Sequence, residues 1–449
     1  MKYHAVVISI LLVLSSSSWG SELPADDRDM KLSLWKVFPL ESTTDEGLNG
    51  TADGSMRFKH GSLGVHLFMN GRIPSDSVEV GGFVPLDESF SRKRLEINPR
   101  DMYLFIPLND FNVRIGFQTI QWGRFDEKSP LDLLNQEDIR EFWVQDRADR
   151  KLHTPSIRLR WAMGNNWDCD AIITPLATVP RLPLSGERWF PPIWIPPSAV
   201  AIEGAIVPVQ SAYQNPSLPS WENQSSTGIR LRFVKELFDI SLVGYHGYTP
   251  RVVLSRKIDY YADGVSSKIL QTLSPVMKKE TVVGLGFSIV AGDALIFGET
   301  AYALKRHYTK GDMKNIYTTS PPDFVEGEEI EGALGINYSL GEYSLSLQSG
   351  ISRVLNPLIT LNQPIRSTWY SLSAQRIYRS SWGNIDTAAT IFWEGETNDG
   401  IFKSSVEIDL ADNMGLKADF IAFPGYGINN YLAQYRHHNE IKVSVVWYM

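Results

Sequence analysis

Alternation of apolar and polar residues recurs along this chain and constrains its fold more than any other feature. In the run TPSIRLRWAM the aliphatic and aromatic residues alternate with Arg158 and Arg160, and STGIRLRFV repeats the pattern with Arg230 and Arg232. Successive side chains of a β-strand point to opposite faces. Each run therefore predicts a strand with one apolar face and one cationic face.

Short turn sequences separate the alternating runs in the second half of the chain. ALGINYSL and YSLSLQSGI are separated by Gly341 and Glu342, and KSSVEIDL is separated from MGLKADFIAF by residues 411–413. Residues 282–304 are apolar enough to resemble a membrane helix, but Gly292 and Asp293 lie at their centre. These features predict antiparallel hairpins throughout.

Repeated amphipathic strands without a long apolar run predict an all-β fold, a closed antiparallel transmembrane β-barrel of about sixteen strands. The first 20 residues have Lys2, an apolar core and small residues before Ser21, which predicts an exported chain with a signal peptide at 1–20. We expect an irregular N-terminal segment at 21–55 and the barrel at 56–449. The last run, IKVSVVWYM, fits a closing strand.

The region 175–219 differs from the rest of the chain. It holds 10 of the 25 prolines together with two tryptophans, Trp189 and Trp194. Proline lacks the N–H that a sheet ladder needs, while this aromatic content is too high for a disordered linker. The sequence therefore predicts a long, ordered Pro/Trp-rich loop folded over or into the barrel.

A dense acidic stretch follows the run IGFQTIQWG and includes Asp126, Glu127 and Asp132. One reading is a solvated loop, in which Leu131 to Phe142 could include a short helix. The other places the acids against arginines of neighbouring strands. If the aliphatic side chains face lipid, the arginines face the lumen, because a charge at the lipid-facing midplane costs about 2–4 kcal/mol.

This second reading predicts a pore lined by charged and polar side chains. Mutual pairing of these charges inside a closed lumen is the alternative. The pore-lining candidates are Arg114, Gln118, Arg158, Arg160, Arg230, Arg232, Asp126, Glu127 and Asp132.

Catalysis and nucleic-acid binding are not indicated. The nucleophile elbow, the paired-histidine zinc helix and the phosphate-binding glycine loops are all absent from the sequence. The net charge of −8 argues against a nucleic-acid partner. We therefore expect a non-enzyme with no catalytic, cofactor-binding or metal-binding residues. An outer-membrane barrel hydrolase is the weaker alternative, since its site residues would be dispersed in sequence.

The pattern runs from Arg114 through Gln118 and Trp122-Gly123 and is followed by PLDLLNQEDIR. It resembles a pattern in porin-like Gram-negative outer-membrane proteins, several of which are known only as domains of unknown function. The segment PRLPLSGERWFPP is similar to one in the same proteins. The resemblance implies an outer-membrane barrel and carries no catalytic residues over. Phe117, in place of a frequent arginine, and the shifted terminal aromatic depart from the pattern.

Together these observations predict a passive channel for small hydrophilic solutes, with anions as the candidate class. The channel would lie in the lipid of a Gram-negative outer membrane. The alternative is a non-conducting barrel bound to an envelope protein partner, within a lipid-export or electron-transfer assembly.

Overall fold

The structure is a computed structural model. It describes residues 30–42, 56–58, 63–73, 79–83, 86–89, 94–97, 100–108, 110–140, 147–183, 185, 189–191, 195, 198–202, 205–262, 267–309, 324–355, 357, 361, 364–380, 383–411, 414–425, 432–436 and 438–448. The predicted signal peptide at 1–20 lies outside the described residues. None of the described helices has the length and apolar character needed to cross a membrane.

Strands dominate the described part of the chain. One short helix, α1, spans Arg147–Arg150, and two 3₁₀ turns span Trp221–Asn223 and Ala433–Tyr435. The strands are β1 Met30–Ser42, β2 Met56–Phe58, β3 Leu63–Ile73, β4 Glu79–Phe83, β5 Leu86–Ser89, β6 Arg94–Ile97, β7 Arg100–Leu108, β8 Phe111–Gln118, β9 Thr154–Met163, β10 Trp167–Thr174, β11 Ala199–Ile202, β12 Ala205–Tyr213, β13 Ser226–Lys235, β14 Phe238–Tyr248, β15 Val253–Ala262, β16 Ser267–Val276, β17 Lys279–Ala291, β18 Ala294–Thr309, β19 Phe324–Leu340, β20 Tyr343–Leu355, β21 Arg366–Ser380, β22 Gly383–Glu394, β23 Asp399–Ala411, β24 Met414–Ala422 and β25 Glu440–Tyr448.

Within the described residues, the main sheet contains 21 strands, and all of its described pairings are antiparallel. Strands β2, β5 and β6 are short side branches, which leaves 18 strands joined neighbour to neighbour. Strand β1 pairs with β3 on one side and with the last strand, β25, on the other. The described pairings therefore return to their start, and the all-β antiparallel class predicted from the sequence is confirmed. The sequence had predicted about sixteen strands.

Strand β1 lies within residues 21–55, where the sequence analysis had expected an irregular segment. The strand has 13 residues, MKLSLWKVFPLES, and its alternation is visible in the sequence. It supplies the partner that β25 would otherwise lack. An unpaired edge exposes a row of amide groups, which is costly in lipid, and this is the physical reason for a strand here.

The two faces of the ring differ as the alternation predicts. Along β9, Ile157 and Leu159 expose 42% and 37% of their surface, whereas Arg158 between them is only partly exposed. Other large apolar side chains along the ring strands are also exposed, among them Ile229, Leu242, Leu285, Leu334 and Leu347. An apolar outer surface of this extent is the surface of a transmembrane barrel.

The two ends of the ring also differ. Short turns join β17 to β18 through Gly292 and Asp293, and β19 to β20 through Gly341 and Glu342, so both predicted turns are confirmed. We call this the turn end. The long connections, residues 119–153 between β8 and β9, 175–225 between β10 and β13, and 249–278 between β14 and β17, lie at the opposite end, which we call the loop end.

Part of the Pro/Trp-rich region forms strands. Residues 199–213 contain β11 and β12, which join β15 and β16 in a separate four-stranded sheet of order β11-β12-β16-β15. Strand β12 pairs with β16 in parallel, while β15 and β16 form a hairpin. This second sheet lies at the loop end, because it is built from two of the long connections. The described residues of 175–198 form no strand.

Candidate functional site

The acidic stretch after β8 folds into the ring. We call residues 119–140 the inward segment. Its base is held by Asn135, whose amide oxygen accepts a hydrogen bond from the Ile120 N–H at 2.8 Å and whose amide nitrogen donates to the Gln118 carbonyl at 3.1 Å. Gln118 in turn donates to the Ser156 carbonyl on β9 at 3.1 Å. These bonds bring the chain back beside its own strand instead of out into solvent.

Apolar side chains fix the inward segment to the inner wall. Five of its buried residues form one cluster with inward-facing residues of β10, β14, β17 and β18, and these five are Ile120, Trp122, Leu131, Leu133 and Leu134. Burying each large apolar side chain contributes about 1.5–3 kcal/mol, so this contact alone is strong. The solvated loop considered from the sequence is therefore not what forms, and residues 131–140 contain no helix.

Glycines on the wall make room for this contact. A Cβ on Gly228 would lie 2.7 Å from the ring of Trp122, and one on Gly284 would lie 2.3 Å from Leu131. Both distances are shorter than real side chains allow. Glycine at these places lets the segment lie directly against the sheet.

The tip of the inward segment reaches the far wall through Phe125. The ring of Phe125 is 0% exposed and lies 4.9 Å from Phe297 on β18 and 5.8 Å from Trp369 on β21, measured between ring centroids. The surrounding apolar cluster continues to Phe392 on β22 and Ile421 on β24. The segment thus crosses part of the lumen.

Polar contacts accompany the apolar ones. The carboxylate of Glu299 on β18 accepts hydrogen bonds from the Arg124 N–H at 2.5 Å and from the Ser129 hydroxyl at 2.5 Å. The Arg124 guanidinium forms an ion pair with Asp239 on β14. Because these partners lie on different strands, the segment is tied to the wall along its length.

Three charged or polar contacts hold the tip. Lys128 forms an ion pair with Glu394 at the end of β22. Glu127 accepts a hydrogen bond from Lys403 on β23 at 2.8 Å, and the Gln348 amide on β20 donates to Asp126 at 2.6 Å. Two of the predicted pore-lining acids, Asp126 and Glu127, therefore bond to wall residues that were not predicted.

The predicted arginines lie on the same inner arc of the wall. Arg158 and Arg230 both contact the carboxylate of Asp170, at 2.6 and 3.4 Å, and Arg232 contacts Asp239 at 2.8 Å. The arginines are therefore partly neutralised, as the alternative reading of the sequence had considered.

The other two predicted arginines lie beside them. Arg160 is in register with Asp170 and with Asn112 on the neighbouring strands. The Arg114 guanidinium lies over the ring of Tyr103, 4.9 Å from its centroid.

Asp132, the remaining predicted acid, lies in a buried ionic cluster. Its carboxylate contacts Lys151 at 2.6 Å and Arg147 of α1 at 3.1 Å. Burial lowers the pKa of Lys151 despite the attraction of Asp132. Burial also opposes the charge on Arg147, but the carboxylates of Asp132 and Glu137 raise the pKa of Arg147 above its ordinary value.

A cavity of about 780 Å³ opens above the inward segment, toward the loop end. Its floor includes Glu127, Lys128 and Asp132. The Pro/Trp-rich loop contributes Pro183 and Trp189, and further walls come from the connection before β15 and the loop ends of β18, β19, β21 and β22. The cavity therefore lies where a solute entering from the loop end would first meet the inward segment.

A second ionic cluster, buried around Arg306 but exposed at Arg251, borders this cavity. Arg306 on β18 contacts the carboxylates of Glu280, Glu329 and Glu331, and Arg251 contacts the last two of these. Among the twelve Asp, Glu, Lys and Arg residues described along the cavity, every one has an oppositely charged partner within 4.0 Å. The site is rich in charges yet internally neutralised.

Sequence reasoning missed this second cluster. Its members lie on β17, β18 and β19 and in the connection before β15, so the chain segments that supply them are far apart in sequence. Strand register is a signal that could have found it. Arg306 is in register with Gly327, and Glu329 with Ala303, so Arg306 and Glu329 lie near the loop ends of adjacent strands. In the part of the chain that the structure describes, no three His, Cys, Asp or Glu side chains are grouped to hold a metal ion.

No family model matches this chain, and no curated protein matches its sequence. Solved structures similar to it include OpdK of Pseudomonas aeruginosa with vanillate, with 8% identity, a TM-score of 0.45, and 94% of this chain and 99% of that one covered. An anion-selective porin from Comamonas acidovorans has 10% identity and a TM-score of 0.43, with 94% and 100% covered.

The Escherichia coli protein Wzi, described as a carbohydrate-binding β-barrel involved in group 1 capsule assembly, has 10% identity and a TM-score of 0.45, with 99% of this chain and 87% of that one covered. These similarities are to outer-membrane barrels and porins. Scores below 0.5 mean that the backbones follow substantially different paths.

Proposed function

We propose that this chain is a porin-like channel of the Gram-negative outer membrane that admits small hydrophilic solutes by passive diffusion. The signal peptide predicted at 1–20 would direct its export. The apolar outer face of the ring fits a lipid environment. Outer-membrane barrels have short periplasmic turns and longer outer loops, so the turn end would face the periplasm.

One observation carries this proposal. Beside the inward segment, β23, β24 and β25 direct a row of charged side chains to the lumen, with Glu407 in register with Lys417 and Asp419 in register with Lys442. The side chains of Lys417 and Asp419 are 30% and 29% exposed. A charged side chain with this exposure on the inner face of a barrel borders a space that water can enter. This exposure supports a water-accessible space in this part of the lumen, and we propose that it continues past the segment as a hydrated path.

The inward segment would set the bore of this path. It occupies the side of the lumen lined by β9 to β18 and reaches the opposite wall at Phe125. Hydrated solutes would be sorted by size at this constriction and by charge along its walls. We further propose a weak preference for anions, because the five predicted arginines outnumber the neighbouring carboxylates of Asp168, Asp170 and Asp239.

Planar-bilayer recording of the purified, refolded protein in KCl tests the channel. We expect discrete open steps, and a reversal potential shifted toward the anion equilibrium potential in a salt gradient. The matched control is the same preparation denatured before reconstitution. Silence of the folded protein in several lipid compositions would overturn the channel proposal, while steps without anion preference would overturn the charge preference alone.

A second candidate function is a non-conducting barrel that serves an envelope assembly with a protein partner. The observation in its favour is the apolar filling of the lumen around Trp122, Phe125 and Leu131. A variant with residues 121–148 replaced by a short glycine–serine linker separates the two candidates. If wild type is silent and this variant conducts, the segment is a plug and the second candidate is correct.

We also propose that the barrel performs no catalysis. The acids and bases of the cavity are held in ion pairs, which leaves them poorly placed to exchange protons with a substrate. Release of product from phospholipid or peptide esters by the folded protein, and not by the heat-denatured protein, would revive the hydrolase alternative.

A further inference from the structure

The cavity above the inward segment holds no unpaired charge among its described residues, although it is densely charged. On its floor, Asp132 is neutralised by Arg147 and Lys151. On its wall, Glu329 is neutralised by Arg251 and Arg306. A charged solute would have to separate one of these pairs to gain a partner, and breaking a buried pair costs about 3–5 kcal/mol.

A neutral solute with many hydroxyl groups meets no such cost. A hydroxyl donates one hydrogen bond and accepts others, so it can bind a carboxylate and a guanidinium that remain paired with each other. Hydrogen bonds to charged partners are about twice as strong as those between neutral groups. Paired ions around a cavity thus favour hydroxyl-rich ligands over ions.

Among the residues that line the cavity, Glu127 and His307 each have a buried polar atom that lacks a hydrogen-bond partner. Oε2 of Glu127 accepts no hydrogen bond, since Arg150 lies 3.9 Å away. Nδ1 of His307 also has no partner, while its Nε2 lies 3.3 Å from the carboxylate of Glu326. With its proton on Nε2, toward that carboxylate, a neutral His307 has Nδ1 as an acceptor. Both atoms therefore require a donor, which a hydroxyl supplies.

Apolar surface and size agree with this chemistry. Trp189 and Trp369 line the cavity together with Pro183 and Pro191. All four residues are largely buried, and what they leave exposed to the cavity is apolar surface, which suits the C–H groups of a sugar ring. The volume of about 780 Å³ lies within the range of about 300–1,000 Å³ that is usual for small-molecule sites.

We propose that this cavity is a binding chamber for neutral, hydroxyl-rich solutes of short-oligosaccharide size, which would occupy it before passing the inward segment. This inference rests on the proposed channel and names the solute class that the channel takes. Glu127 and His307 are its specificity-determining residues.

Block of the KCl current by added solute tests the chamber. A neutral trisaccharide should reduce the current in a saturable manner, whereas a zwitterionic dipeptide and a dicarboxylate of similar length should block at least tenfold less strongly. Glu127→Gln and His307→Phe should each raise the half-blocking trisaccharide concentration by about two- to twelvefold, because each removes one hydrogen-bond acceptor. Asp386→Asn, near the turn end of β22, is the matched control and should leave that concentration unchanged.

Folding of each variant is checked by its heat-dependent mobility on gels. A dipeptide or dicarboxylate that blocks as well as the trisaccharide would overturn the chamber, and so would a trisaccharide that leaves a conducting protein unaffected. If the protein carries no KCl current, the channel proposal fails. The chamber is then tested separately by titrating tryptophan fluorescence of the folded protein in detergent with the trisaccharide.

Discussion

Replacing Phe125 by alanine should release the tip of the inward segment and widen the channel. The ring is fully buried against Phe297 and Trp369. Truncating a buried phenylalanine to alanine typically costs about 3–5 kcal/mol, through lost burial and the cavity left behind. Since about 1.4 kcal/mol is a tenfold change in an equilibrium constant, the detached tip should gain roughly 100- to 5,000-fold in population.

Detachment should remain local. The base of the segment keeps its contacts at Trp122 and Leu131, and the strand ladder does not involve Phe125. Bilayer recordings of Phe125→Ala should therefore show larger and noisier open steps, while the barrel keeps its heat-dependent gel mobility.

Phe117→Ala is the matched control for this experiment, because Phe117 is 37% exposed on the outer face of β8. It makes the same chemical change on the lipid side and should leave the conductance unaltered. If Phe125→Ala gives the wild-type step size and noise, the inward segment does not set the bore, and the reasoning above is wrong.

Three further changes test the wall. Asp170→Asn should lower the denaturation midpoint, because it leaves the largely buried Arg158 without its partner at a cost of about 3–5 kcal/mol. It should also increase the preference for anions. An unchanged midpoint and reversal potential would contradict the pairing. Arg158→Glu should shift the reversal potential toward cations. Gly284→Val should displace Leu131 and raise current noise. Gly244→Ala should behave as wild type, because its Cβ would make only an ordinary contact, 3.6 Å from Ile229.

Several features of the fold could be read from the sequence because they depend on local pattern. Alternation in TPSIRLRWAM predicts which residues of β9 face outward, and Ile157 and Leu159 do so. Turn residues such as Gly292 and Gly341 take a positive φ, which glycine adopts at low cost. A local pattern thus determines strands, turns and the two faces of the sheet.

The inward segment could not be derived in this way. Its apolar residues, Ile120, Trp122, Phe125 and Leu131 among them, follow neither a period of two nor a period of 3.6. The residues that they pack against lie on strands between β10 and β24, so these apolar residues become buried only when the ring has formed. The strand at residues 30–42 was missed for a related reason, because its partner β25 lies at the far end of the chain.

By itself, the sequence determined an antiparallel barrel with an apolar outer face and an arginine-bearing inner arc, because the alternation within each strand shows which of its faces is apolar. Only the tertiary structure decided that Asp126, Glu127 and Asp132 lie inside the ring. Only it brought Arg306 and Glu329 to the edge of a common cavity. Those contacts join residues between 15 and 276 positions apart, as in Asp132 with Arg147 and Glu127 with Lys403. The longest of them form only when the sheet closes, so no local pattern in the sequence could indicate them.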